Sequence, residues 1–458
     1  MKKTLLRLLL SLMVGWGTLS ALDAHAAGPI ARDFPPGLQI PQAARPGPSF
    51  DVDKATEAYL ALLPPEQRQL SDAYFEGGYW LHLWGFLYGN AVGAFLLLSG
   101  LSVRMRNAAR RITKWRWLST ALYAVFWLAI GFALGLPWSY YVGFVREHQY
   151  GLSTLSGPGW LWESVKGLLV GLVIAPLLIS GLYALVRRLG TRWWIWASAA
   201  SFVVSLLISL VQPVFIAPLF NDYKTLPDGP IRTAVLSLAR ENQIPTAHVE
   251  WFDASRQTTR VSANVSGFLG TTRVALNDNL VNKTSLPEIK AVTGHEMGHY
   301  VLNHGLRLTI YFTLVIALGL FCVHRVMDWS LARWGARLRL EGRDDPAALP
   351  LALIVFSTFF FVMTPLTNSI VRQVEAEADA FGLSAAREPN GFAMSAMRLS
   401  TYRKLRPGAL EELVFYDHPS GYDRVHGSML WLAENQDNPT ANAPLPAPPL
   451  TPLTPLTH

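Results

Sequence analysis

A chain of 458 residues in which 51% are apolar and only 16% charged is not an ordinary soluble enzyme, where about 25% charge is usual. The net charge of +7, from 39 Lys and Arg against 32 Asp and Glu, suits nucleic acid or the basic loops of a membrane protein. Long apolar runs decide for the membrane and against nucleic acid. The single cysteine, Cys322, lies inside one of those runs, which excludes an intrachain disulfide and a thiolate metal cluster and leaves His and carboxylates to hold any metal.

Residues 1–26, MKKTLLRLLLSLMVGWGTLSALDAHA, combine a basic start, an apolar stretch and a small-x-small end at Ala24-His25-Ala26. This is the pattern of a secretory signal peptide, with an uncleaved first transmembrane helix as the other reading. A polar, proline-containing segment covers 27–79. Apolar runs near 80–102, 117–141, 165–186 and 193–219 each hold the roughly 20 residues that a helix needs to span a bilayer, so four transmembrane helices are expected over 80–220. Composition turns soluble over 221–304, where helix-like IRTAVLSLARENQ, the alternating runs HVEWF and RVALND, and a helix from about 286 predict a small α/β insert. Two further spans, near 306–329 and 349–370, fall within 305–371. A polar helical region follows over 372–436, and a Pro-rich tail, expected to be disordered, covers 437–458.

The fold class expected is therefore mainly α: a polytopic membrane protein with six or seven transmembrane helices plus a small α/β domain. Pro176, Pro213, Pro218 and Pro365 sit in or near spans, where kinks would let the helices enclose a chamber. Trp115, Trp117, Trp160, Trp162, Trp193, Trp194 and Trp196 cluster at the ends of apolar runs and read as interfacial belts. Basic residues collect in three loops: Arg104, Arg106, Arg110, Arg111, Lys114 and Arg116; then Arg187, Arg188 and Arg192; then Arg333, Arg337, Arg339 and Arg343. The loops alternate consistently, so if they face the cytoplasm the segment 27–79, the insert and the region after 371 lie on the opposite side.

The chemistry starts at His295-Glu296-Met297-Gly298-His299. On a helix, imidazoles four residues apart differ by about 40° around the axis and can reach one zinc ion. Glu296 then stands beside the metal-bound water, whose pKa zinc lowers towards neutrality, and can take its proton. His304, nine residues beyond His295, would lie about 180° away on a continuous helix and reads as an interfacial His. Leu302 and Gly305 stand where a metzincin would have Gly and His. A better third ligand lies in Val374-Glu375-Ala376-Glu377-Ala378-Asp379. Glu375 and Asp379 share one helix face while Glu377 is turned about 200° from Glu375, so Glu375 can bind the metal and Asp379 can accept the free N–H of a ligating His.

These motifs, with HEMGHY at 295–300, EAEADAF at 375–381, QPVFIAPLFNDY at 212–223 and DHPSGYDRV at 417–425, resemble the membrane-embedded zinc peptidases of the Ste24 type, the CAAX prenyl protease family of the M48 peptidases. The resemblance covers about residues 70–430. It implies one Zn2+ per chain held by His295, His299 and Glu375, with Glu296 as catalytic base. It matches Asp379 to the family's acid after the third ligand, described as an orienting group or a proton donor. It further implies that His418 stabilises the developing oxyanion with Arg424 in support. Ser262 stands where the family commonly has Asn on the substrate-binding strand, which puts that side-chain contact in doubt; backbone pairing of an extended peptide is unaffected. Asn264, two residues on, shares Ser262's face.

The function expected is an integral membrane zinc metalloendopeptidase acting on peptides or proteins near the bilayer. It resembles the CAAX prenyl protease but suits turnover of misfolded envelope proteins, with the site on the periplasmic side of an inner membrane. The alternative is a non-proteolytic transporter or scaffold with a structural zinc site, which would normally be closed by four protein ligands.

Overall fold

In lipid every backbone N–H must find a C=O within its own segment, so the apolar runs become helices. The computed structural model describes residues 34–436, apart from 36, 247 and 268–271. The signal-or-span reading of 1–26 and the Pro-rich tail at 437–458 lie outside these described residues.

Five helical stretches are long and apolar enough to cross a membrane: Pro65–Leu98, Arg116–Gln149, Gly157–Leu219, His304–Leu338 and Pro346–Ala386. The third has 63 residues. As one straight helix it would run about 95 Å, three times the ~30 Å apolar layer of a bilayer. It is broken instead at Gly190–Arg192, where Gly190 takes φ +53°. The described residues thus hold six helices of crossing length, the number of apolar runs after residue 79. In chain order, a short α1 (Val52–Leu60) precedes α2 (Pro65–Leu98), α3 (Leu101–Ile112) and α4 (Arg116–Tyr140, continued through a π-turn to Gln149). Then come α5 (Gly157–Leu189) and α6 (Trp193–Val211), which pack together.

Residue 65, not 80, starts the first long helix. Pro65 occupies its first turn, where a missing N–H costs nothing, and the helix runs on through Gly77 and Gly78 into the apolar run. The preceding segment is not a detached polar arm either. Ala55, Tyr59, Leu60 and Leu63 pack with Met397, Val425 and Met429 from the other end of the chain, and Tyr59 Oη–H donates to Asn390 Oδ1 at 2.7 Å.

The soluble insert is a four-stranded sheet of β1 (Tyr223–Thr225), β2 (His248–Phe252), β3 (Ala263–Ser266) and β4 (Arg273–Asn277), in the order β1-β2-β4-β3. Strands β2 and β4 run parallel; β1 and β3 pair antiparallel at the flanks. Val249 and Trp251 of β2 and Val274 and Leu276 of β4 alternate into a core shared with Val235 and Leu238 of α7 (Pro230–Glu241) and Ile289 and Met297 of α9 (Leu286–Val301). The short α8 (Asp278–Lys283) leads into α9. The chain then enters α10 (His304–Leu338), returns as α11 (Leu349–Ala386), and ends in α12 (Pro389–Leu399), α13 (Ala409–Phe415) and α14 (Gly421–Glu434).

Helix α11 has 38 residues, about 57 Å, so one rigid element carries both the sixth apolar span and the acidic run that follows it. The three basic loops meet at the end away from that run. Arg106 Nη1 donates to Asp345 Oδ2 at 2.5 Å and to Arg339 O at 3.3 Å. Arg110 makes two bonds to Glu341 at 2.7 and 2.8 Å, and Arg343 reaches Gly190 O at 3.5 Å. Part of the basic excess is therefore neutralised by acids of the last loop. Trp115, Trp117, Trp162 and Trp196 are exposed, as belts require, but Trp160 and Trp193 are buried inside the bundle.

Candidate metal centre

Helix α9 carries the His pair. Its first turn is held by Ser285, whose N–H and Oγ–H both donate to Glu288 at 2.7 Å, the geometry of a capping box. The other oxygen of Glu288 accepts from Arg398 Nε of α12 at 2.5 Å, with both side chains buried. Removing one partner of a buried ion pair strands the other charge. Arg398→Met is therefore expected to destabilise the protein by about 3–5 kcal/mol, read as a lower midpoint of thermal unfolding in detergent.

Helices α9 and α11 cross where both have small residues. A Cβ on Gly294 would lie 3.1 Å from Gly382 O, and one on Gly298 would lie 3.2 Å from Ala378 Cα. This close approach sets Glu375 and Asp379 against the His pair. His295 Nε2 and His299 Nε2 are 3.2 Å apart, His295 Nε2 is 3.3 Å from Glu375 Oε2, and His299 Nε2 is 3.4 Å from Glu375 Oε1. The two Glu375 contacts run to its two different oxygens, and one donor atom from each residue lies within 4.8 Å of the others, so the donor set, two imidazoles and one carboxylate, fits zinc in chemistry and in reach.

Each carboxylate and ring has a partner behind it. Asp379 Oδ1 faces His295 Nδ1 at 2.7 Å. Arg424, set on the first turn of α14 by the Ser420 cap, donates from Nε to Asp379 Oδ2 at 2.9 Å and from Nη2 to Glu375 Oε2 at 3.3 Å. The sequence reading set Arg424 in support of His418; its bonds run instead to the two carboxylates. His418 points Nε2 at Glu375 Oε2, 3.3 Å away, and Nδ1 at Asp417 Oδ1, 2.7 Å away. Glu296 lines the adjoining cavity, about 170 Å³, together with His295, Glu375, Asp379, His418 and Arg424. It makes no hydrogen bond or ion pair among the described residues.

His304 departs from its interfacial reading. Asn303 takes a left-handed conformation, φ +54°, which ends α9 and lets α10 start in a new direction. His304 is consequently buried, with Nδ1 3.0 Å from His299 Nδ1 and Nε2 3.3 Å from Glu377 Oε2. Glu377, turned away from Glu375 as its spacing predicts, also pairs with Arg307 at 2.5 Å. Spacing alone sets His304 and Glu377 away from the donor set and gives no hint that they meet behind His299. An Asn after a helical run, among the non-glycine residues most able to adopt this conformation, is the signal that could have found them.

Burial opposes charge on His295, but its bonds to Asp379 and Glu375 prevail and lift its pKa to about 9. His299, partly buried and next to that charge, is pushed down to about 4. Burial raises Glu296 to about 7.

The free edge of β3 borders the same cavity through Ser262 and Ala263. Ser262 O accepts from Asn277 N at 3.0 Å, so by antiparallel alternation the N–H and C=O of Ala263 and Val265 point to the open edge.

Two family models divide the chain: "CAAX prenyl protease N-terminal, five membrane helices" over residues 53–222, and peptidase family M48 over residues 225–427. An uncharacterized metalloprotease of Bacillus subtilis, YhfN, is 30% identical over 345 residues, covering 75% of this chain and 80% of the relative. CAAX prenyl protease 1 of Saccharomyces cerevisiae is 29% identical over 319 residues, 66% of this chain and 70% of its own length. The fold is shared with the crystal structure of S. mikatae Ste24p, at a TM-score of 0.67 and 20% identity, covering 82% of this chain and 94% of that one. The chain belongs to peptidase family M48, as a Ste24-type multi-pass membrane metalloendopeptidase.

Proposed function

We propose that this endopeptidase uses one zinc ion, held by His295, His299 and Glu375, to cut extended peptide segments at the bilayer surface. The observation that carries the reading is the meeting of His295, His299 and Glu375, with one donor atom from each within 4.8 Å of the others, beside a carboxylate, Glu296, that makes no bond among the described residues. Bound there, zinc supplies polarisation of a peptide carbonyl and a lowered pKa for a neighbouring water. Glu296 takes the proton of the attacking water as the C–O bond forms and delivers it to the amine nitrogen as the C–N bond breaks. Glu296 ends unprotonated, and no covalent link to the enzyme is made.

The remaining residues hold these groups in place. Asp379, accepting from His295 Nδ1–H, keeps Nε2 of that ring free for the metal. The relay from His299 Nδ1–H to His304 and on to Glu377 does the same for the second ring. Arg424 offsets the charge of the two carboxylates. Asp417 Oδ1, 2.7 Å from His418 Nδ1, holds that ring with Nε2 turned towards the donor set, where it can serve as the donor a developing oxyanion needs. A substrate strand would pair with the outward N–H and C=O groups of Ala263 and Val265, with Ser262 and Asn264 side chains on one common face.

Chelation with phenanthroline should abolish cleavage of a fluorogenic peptide, one equivalent of Zn2+ should restore it, and elemental analysis should find about one zinc per chain. Cleavage that survives complete metal removal would overturn the proposal.

The side of the membrane follows from the basic loops, which gather at the end away from the donor triangle. The positive-inside bias puts that end in the cytoplasm, so the site faces the periplasm of an inner membrane. Envelope proteins, misfolded ones above all, are then the substrates within reach; CAAX specificity is not required. Alkaline phosphatase fused after residue 436 should be active in cells, and an inactive fusion with an active cytoplasmic reporter at the same point would reverse the assignment.

A further inference from the structure

A slot of about 240 Å³ lies between α5, α6, α10 and α11, at the end of the bundle away from the metal centre. Leu182, Val186, Leu320, Val323, Leu353 and Phe356 line it, with Trp193 and Arg343 at its loop end. Leu349, the first residue of α11, and Phe356, seven residues on, both border it, so it reaches about 10 Å into the apolar layer from the level of the loops.

Two observations say what fills it. Trp193 is 3% exposed, and its indole Nε1–H is buried without a hydrogen-bond partner among the described residues. A buried donor with no acceptor is costly, and neither Tyr183 and Arg343 of the lining nor the neighbouring His324 ring supplies one. At the mouth, Arg192, next in the chain to Trp193, is exposed and has no acidic partner among the described residues; Arg188, about 200° around α5 from Val186, faces away. Arg343 is different, being held by Asp328 at 2.7 Å. From depth to surface the slot thus asks for a hydrocarbon chain, then an oxygen acceptor, then a negative charge.

We propose that it binds one anionic phospholipid. The acyl chain lies between α10 and α11, an ester or phosphate oxygen accepts from Trp193 Nε1–H, and the headgroup charge sits by Arg192. A zwitterionic lipid meets the first two demands but brings no net charge to the third.

Native mass spectrometry of the full-length, delipidated protein, titrated in mixed micelles with dioleoyl phosphatidylglycerol or dioleoyl phosphatidylcholine, tests this. One phosphatidylglycerol should be retained per chain, with affinity roughly tenfold above phosphatidylcholine. Trp193→Phe, which keeps the ring and removes the donor, should weaken retention about fivefold. Arg192→Gln should bring phosphatidylglycerol to the phosphatidylcholine level, and Ala352→Phe should fill the slot and abolish retention. Peptide cleavage at the wild-type rate serves as the folding control for each variant. Equal retention of both lipids by the wild type, or an unchanged phosphatidylglycerol affinity in Trp193→Phe, would overturn the proposal.

Discussion

Glu296→Gln is expected to lower peptide cleavage by roughly 10²- to 10⁴-fold while zinc content stays at the wild-type level. The amide has the size of the carboxylate but cannot accept a proton. Because Glu296 is not one of the three spaced donors and bonds no other side chain among the described residues, its replacement leaves the triangle of His295, His299 and Glu375 undisturbed. The loss should fall on kcat with KM little changed, since the proton is transferred only in the transition state. Steady-state kinetics and elemental analysis on the same preparation separate the outcomes. Unchanged cleavage would remove Glu296 from the mechanism, and loss of zinc along with activity would make it a ligand.

Gly382→Ala should cost both metal and activity although residue 382 touches neither. Its new Cβ would sit 2.7 Å from His295 N and 2.9 Å from His295 Cα. These are helix backbone atoms, which cannot swing aside as the tip of a side chain can, so α9 and α11 must part. Overpacking of this kind costs about 1–3 kcal/mol. The larger effect is at the site, because Glu375 and Asp379 ride on α11 and both His on α9. An ångström of misplacement is expected to lower cleavage by about 10²-fold, with zinc lost on dialysis. Gly305→Ala is the control, since a Cβ there meets nothing within 4 Å and should leave cleavage unaltered. Wild-type zinc retention in Gly382→Ala would show that the crossing does not set the ligand spacing.

Helical features repeat locally, and such features were legible in the sequence. The six apolar runs became six helices of crossing length, and the spacings of four in His295/His299 and Glu375/Asp379 do place each pair on one face. Features that depend on where a helix stops were harder to see. His304 looks turned away from His295 only while 295–304 is taken as one helix; Asn303 in a left-handed conformation redirects the chain and buries that ring on His299. The helix that starts at Pro65 runs through Gly77-Gly78, a pair that by sequence marks a break. Trp160 and Trp193 sit at the ends of apolar runs as belt residues do, and only packing separates them from the exposed Trp162 and Trp196.

By itself the sequence determined the membrane class, the six long apolar spans after residue 79 and the residue types able to hold a metal, because hydropathy and helical period act over about 20 residues or fewer. Which residues meet was decided by tertiary structure. His295 and Glu375 are 80 positions apart in the chain, Glu375 and Arg424 are 49 apart, and no periodicity couples such distances. Their meeting depends on two helices crossing at glycines and on a capped third helix, α14, that turns Arg424 towards both carboxylates. The +7 charge divides in the same way: composition supplies it, and the fold gathers the basic loops at one end and keeps the donor triangle at the other.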